Sequence, residues 1–283
     1  MERALFIEAT AVRVVAVAVA VWLAWYLPAQ MLLYAMIALG QAHFVLAYWY
    51  QADAGKWNLR KLSFVIALVG LSLWLLTILP LMVFVFVTGV LFLVHFALDE
   101  IYLLGGKVSL YTTLECLPFL FLYSGLLSDT MLGTETFLLS LIASGIALLI
   151  LCVVSLERKR MPNALSGVYL VWAVMTLGAC LVFQSFGSGN SIVWFLTLIG
   201  VHYGVWYGAY WFRLRGKSDR QRTYLWRSIG VNIAMLFLIF VWLIQLLPPL
   251  ALLFAPSLFY VWTVIHILTS VRLADIQALL RFS

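Results

Sequence analysis

Charge is what this sequence has little of. Only 10% of its 283 residues are Asp, Glu, Lys or Arg, while 65% are hydrophobic and the mean hydropathy is +1.09. A soluble globular domain does not keep that balance. Cysteine is scarce as well: Cys116, Cys152 and Cys180 are all there is. They fall in different apolar runs without CxxC spacing, which predicts packing roles rather than a disulfide or a thiolate metal cluster. The chain has no Walker loop, dinucleotide fingerprint, HExxH pair or Ser-His-Asp arrangement in a suitable context, so nucleotide chemistry is not indicated. Its start, MERALFIEATAVR, lacks the basic segment, short apolar core and small-residue cleavage site of a removable leader, and the first apolar run is expected to stay. Long polar stretches are missing too. The longest, RLRGKSDRQRTYLWR at 213–227, reads as a loop or a short interfacial helix, and no separate soluble domain is expected.

Long apolar runs fill the chain instead. A hydrocarbon core about 30 Å thick takes roughly 20 apolar residues per helix, and only helices or closed barrels satisfy their backbone there. The runs are too long and unbroken for barrel strands. About ten candidates lie near 10–27, 29–50, 62–80, 81–104, 109–127, 137–156, 164–186, 191–212, 228–247 and 249–271. They predict an all-α fold, a polytopic transmembrane helix bundle in which residues 1–283 form a single integral-membrane domain. Several connections are only a few residues long, as at Leu27-Pro28, Leu79-Pro80, Gly187–Asn190 and Pro248-Pro249. Tight antiparallel helix pairs follow.

The few charges orient the bundle. Lys56, Arg60 and Lys61 follow the second span, Lys107 the fourth, Arg158, Lys159 and Arg160 the sixth, and a run from Arg213 to Arg227 the eighth. Loops on the other side carry almost none. The positive-inside tendency therefore predicts that the basic loops and both termini face the cytoplasm. The net charge of +6 and pI near 9.3 are accounted for by this topology and by anionic lipid headgroups, without nucleic acid as a partner.

Histidine occurs four times, and every instance lies inside a predicted span: His43 in GQAHFVLAYW, His95 in VHFALDE, His202 in GVHYGVWYG and His266 in TVIHILTS. Ionisable groups at membrane depth are costly and point to function. His43 precedes Lys56 by 13 residues, His95 precedes Lys107 by 12 and His202 precedes Arg213 by 11. At about 1.5 Å of rise per residue these three depths agree within a few Å, and His266 also lies in the cytoplasmic half. Asp99 stands four residues after His95, on the same helix face. Glu115 enters the next span at a comparable depth, whereas Glu100 faces about 100° away, toward Lys107 or the headgroups.

Imidazoles with one or two carboxylates are what a divalent metal needs in such a place. The expected ligands are His43, His95, His202 and His266, with Asp99 and Glu115 as catalytic or orienting carboxylates. Imidazole-rich sites suit iron, copper and zinc. Phe44, Phe96, Tyr203 and Trp206 flank the histidines and predict walls for a hydrophobic substrate, which favours non-haem Fe2+ acting with dioxygen on a lipid or isoprenoid over a hydrolase. Two other classes share these features: a haem-binding electron-transfer protein with axial histidines, and a transporter with a protonatable histidine and carboxylate cluster.

His95-Phe96 with Asp99, His202 and the late His266 make the pattern resemble the bacterial and archaeal membrane β-carotene 15,15′-dioxygenases of the Brp/Blh family. That family carries His-Gly-x-x-Asp and His-Phe-Gly motifs, a His-x-x-x-His pair and a late Pro-His. Here Phe96 or Ala97 replaces the motif glycine, Trp206 stands in place of the pair's second histidine, and Ile265 precedes His266. The resemblance implies an all-helical, multi-pass protein of a bacterial or archaeal plasma membrane that uses non-haem iron and dioxygen on a carotenoid-like substrate.

Overall fold

The computed structural model describes residues 2–103, 117–118, 120–125, 127–128, 137–157 and 191–270. The described residues are overwhelmingly helical, and no strand occurs among them. In chain order the helices are α1 (Glu2–Tyr26), α2 (Ala29–Asp53), α3 (Leu59–Ile78), α4 (Leu81–Leu103), α5 (Phe137–Glu157), α6 (Ser191–Arg213) and α7 (Ser218–Leu243). A 3-10 turn (Pro248–Leu250), α8 (Ala251–Phe254) and α9 (Pro256–Ser270) complete the series. The all-α expectation is met. Most of the runs expected at 109–127 and 164–186 lie outside the described residues.

The helix expected from residue 10 begins at Glu2, and two further boundaries differ from the sequence reading, each with a local cause. The helix expected from residue 228 begins ten residues earlier, at Ser218. α6 ends at Arg213, Gly216 turns the chain at φ +82, and the charged residues after it form the exposed first turns of one long α7 where a loop or a short interfacial helix was expected. The last run is broken at Ala255, which is extended (φ −61, ψ 129) because the residue before a proline avoids helical geometry. Pro256 has no N–H to give the carbonyl of Leu252. Trp262 Nε1 donates to that oxygen at 2.8 Å instead, and Gln41 Nε2 donates to the neighbouring Leu253 oxygen at 2.6 Å. Side chains thus replace the backbone partners lost at the bend of 46° between the two helical pieces.

The chain contacts divide it into two units, with boundaries inside α2, α4 and α6. Unit 1 comprises residues 1–29, 93–209 and 272–283; unit 2 comprises 30–92 and 210–271.

Within unit 1, α1 buries Val12, Ala16, Ala20 and Ala24 at every fourth position, with Arg13 and Val17 beside them. This stripe meets α6 where α6 has no side chains. A Cβ on Gly204 would stand 2.9 Å from Ala16 Cβ, and one on Gly208 would stand 2.5 Å from Val12 Cγ1. Small residues four apart allow such backbone approach. Gly208→Ala should therefore destabilise the protein by about 1–3 kcal/mol through overpacking, and Val12→Ala should recover part of the loss. Gly145→Ala is the control, since among the described residues nothing lies within 4 Å of its added methyl. Thermal unfolding in detergent measures all three, and a neutral Gly208→Ala would remove the close approach.

Two apolar clusters lie among the described residues of unit 2. Leu68 of α3, Phe84 of α4 and Val261, Val264 and Ile265 of α9 form one. Ile37 and Ala38 of α2, Ile239 of α7 and Phe254 of α8 form the other. Three threonines on these helices are satisfied within their own turn: the Thr88, Thr263 and Thr269 hydroxyls donate to the carbonyls of Phe84, Phe259 and Ile265 at 2.7–2.9 Å. Among the described residues, three helices are long and apolar enough to cross a membrane: α2, α3 and α7. The bent pair Pro248–Phe254 and Pro256–Ser270 qualifies when taken together.

Candidate metal centre

His95 lies in α4 within a run of buried residues, Leu93, Phe96 and Leu98 among them. Helical spacing puts Asp99 one turn further along the same face, and the His95 Nε2 to Asp99 Oδ2 distance is 3.4 Å. The second imidazole comes from α6. His202, buried between Val201 and Tyr203, brings its Nε2 to 4.0 Å from the same Asp99 oxygen. The two histidine rings are 5.8 Å apart and nearly perpendicular, at 71°.

His95, Asp99 and His202 each offer one ligand atom, and these atoms lie within 4.8 Å of one another. Donors around a single divalent ion at about 2.1 Å are separated by about 3.0–3.4 Å. The His95–Asp99 separation meets that range. At 4.0 Å the His202–Asp99 separation lies about 0.6 Å beyond it, so binding an ion would draw the His202 ring and the carboxylate together. The histidines are 3% and 1% exposed, whereas the Asp99 side chain retains 21%. One side of the triad is therefore sealed by packing, and the carboxylate marks the side that remains reachable. Two imidazoles and one carboxylate suit a divalent first-row metal, and the residues present fit such an ion.

Aromatic rings hold the triad in place. The Phe96 ring is 4.5 Å from that of His202 and 5.1 Å from that of Tyr123. Phe96 and Tyr123 are fully buried. Tyr203, also buried, lies 5.7 Å from the ring of His202 to which it is adjacent in sequence. Trp206 is half-buried and packs edge-on against Tyr207. Tyr123 is a neighbour that sequence reading did not single out. Its surroundings, FLFLYSG, carry no signal that separates it from any other tyrosine of an apolar helix.

The other two histidines meet within unit 2. His43 of α2 and His266 of α9 are 1% and 3% exposed, with ring centroids 4.9 Å apart. His266 stacks on Phe44 at 4.5 Å and 25°, and Phe44 stacks in turn on Phe259. Tyr48 approaches His266 edge-on at 6.0 Å. Phe44, expected beside substrate, is thus a packing partner of His266. Glu115 lies outside the described residues. Of the cysteines, Cys152 is exposed on α5, while Cys116 and Cys180 lie outside the described residues.

No protein-family model matches the chain, no curated protein matches it in sequence, and no solved structure matches its fold.

Proposed function

We propose that this is an integral-membrane oxygenase that holds non-haem ferrous iron on His95, Asp99 and His202 and acts with dioxygen on a hydrophobic lipid or isoprenoid substrate. The observation that carries the reading is the juxtaposition of two imidazoles and one carboxylate, with Asp99 Oδ2 at 3.4 and 4.0 Å from the two ring nitrogens. Two histidines with one carboxylate are the ligand set of non-haem iron oxygenases, which leaves coordination positions open for dioxygen and substrate chemistry. The protein's own part is to fix the rings by packing against Phe96 and Tyr203, to exclude water from the sealed side, and to lower the charge of the centre through Asp99. An Asp99 carboxylate oxygen stands beside both imidazoles, whereas haem takes its axial protein ligands from histidine, methionine, thiolate or tyrosine. That arrangement favours directly ligated iron over haem. His43 and His266 remain candidate ligands through their pairing in unit 2. A carotenoid-like substrate is the form suggested by the family resemblance.

Membrane insertion is supported by the helices that qualify to span. Only 11% of the apolar windows of α3 and α7 is buried within the protein. Phe64, Ile66 and Trp74 of α3 are 50–62% exposed, as are Ile233 and Phe237 of α7 at 61% and 62%. In water such faces are a liability; in lipid they cost nothing. With the basic loops on the cytoplasmic side, the reading is a multi-pass protein of a bacterial or archaeal plasma membrane with both termini inside.

Elemental analysis of protein purified in detergent without chelators tests the reading, together with a visible spectrum and mass spectrometry of co-purified lipid. The expected result is about one iron per chain and no Soret band, in line with a three-ligand non-haem centre. A Soret band replaces this reading with haem electron transfer. Protein free of any stoichiometric metal replaces it with a proton-relay cluster.

A further inference from the structure

A second polar site lies in unit 2, formed by side chains that include none of the histidines. Asp53 ends α2, and the Arg227 side chain of α7 pairs with it. The Arg227 guanidinium also lies 4.6 Å over the ring of Trp49. This pair forms a neutral wall. Beside it the rings of Tyr50, Tyr210 and Tyr224 pack together with centroids 5.0–5.7 Å apart. Wall and rings border a cavity of about 520 Å³, completed by Asp219, Arg220 and Thr223, which is within the usual size for a small-molecule site.

The lining has a definite charge pattern. Asp219, Arg220, Thr223 and Arg227 share one face of α7 by helical spacing. With Asp53 and Arg227 cancelling each other, one carboxylate and one guanidinium are left on exposed side chains facing the cavity, and among the described residues neither Asp219 nor Arg220 forms an ion pair. Such a lining fits a ligand with both signs of charge. Arg220 and the Thr223 hydroxyl suit a phosphate, and Asp219 suits a cation. The tyrosine rings are packed against one another, so they do not form a cage of open faces for a quaternary ammonium. A primary ammonium, which donates hydrogen bonds to a carboxylate, is the better fit.

Position narrows the source. The cavity lies at the C-terminal end of α2 and the N-terminal end of α7, both long and apolar enough to cross a membrane. Trp49 and Trp226 at the same helix ends are 41% and 62% exposed, as tryptophans are at a headgroup layer. We infer that this cavity binds the headgroup of a zwitterionic phospholipid of the phosphoethanolamine class, with the phosphate on Arg220 and Thr223 and the ammonium on Asp219. The inference rests on the membrane part of the reading above and not on the metal centre.

The test is native mass spectrometry of the full-length protein in detergent with equal amounts of phosphatidylethanolamine, phosphatidylcholine and phosphatidylglycerol. The expected result is retention of phosphatidylethanolamine about tenfold over each of the others. Arg220→Gln should lower retention of all phospholipids, and Asp219→Asn should remove the preference over phosphatidylglycerol. Both positions are exposed, so neither substitution disturbs packing. Equal retention of the three lipids, or a preference untouched by both substitutions, overturns the inference. Carbonate extraction of membranes and titration with soluble glycerophosphoethanolamine separate the two claims. Headgroup binding by a chain that extracts as soluble protein would sink the membrane reading and leave a headgroup site. An extraction-resistant chain without lipid preference would sink only the site.

Discussion

Replacing His202 by alanine should strip the purified protein of iron. The substitution removes one of three donors from a centre that packing seals on one side, and neither lipid nor the adjoining Phe96 ring can supply a replacement nitrogen. Loss of an outer partner of a metal ligand costs about 10–100-fold in affinity, and loss of a ligand should exceed that. His95→Ala should behave in the same way, and either variant should lose the proposed oxygenase activity. Chromatography and thermal unfolding in detergent distinguish loss of metal from loss of fold. His43→Ala and His266→Ala belong in the same series, since their iron content shows whether the unit 2 pair also ligates. A His202→Ala chain that keeps its full iron removes His202 from the ligand set and leaves His95 with Asp99 as a helix-surface pair.

Asp99 should show a graded response. Asp99→Asn keeps the shape and an oxygen donor while removing the charge, so metal affinity should fall by about 10–100-fold without vanishing. Asp99→Leu removes the oxygen that faces both His95 and His202, and should reduce iron to the level of the histidine variants. Metal titration of the three proteins decides the role. Equal, wild-type affinity in both variants would place Asp99 with the charged ends of the helices, as a residue whose neighbourhood with His95 follows from spacing alone.

Several features of this protein could be read locally. The all-α class follows from the length of the apolar runs, and the ends of α2, α3, α4 and α6 fall within a few residues of where proline, glycine and charge interrupt those runs. The start of α7 was only half legible, because the polar stretch at 213–227 fits a loop as well as a short interfacial helix. The residues from Ser218 to Arg227 are helical yet largely exposed, and a helix surface facing water or headgroups has no apolar period to betray it. The break at Ala255 is signalled by Pro256, but its repair by Gln41 is not. Gln41 lies on another helix, and its amide is a partner only once α2 and α8 are side by side.

The candidate site divides along the same line. The facing of His95 and Asp99 is a property of four-residue spacing on one helix, and the sequence by itself determined it. Depth arithmetic put His43, His95 and His202 at one level with His266 in the same half of the membrane, and so did not single out His202 as the imidazole beside Asp99. Tertiary structure decided that His202 reaches the Asp99 carboxylate while His43 and His266 pair with each other in unit 2. It also decided that Gly204 and Gly208 are contact surfaces for α1, and that Phe96 is wedged between His202 and Tyr123. The physical reason is that helix formation is governed by residues within a turn or two, whereas the rotation of one helix against another is set by the fit of side chains along the whole contact.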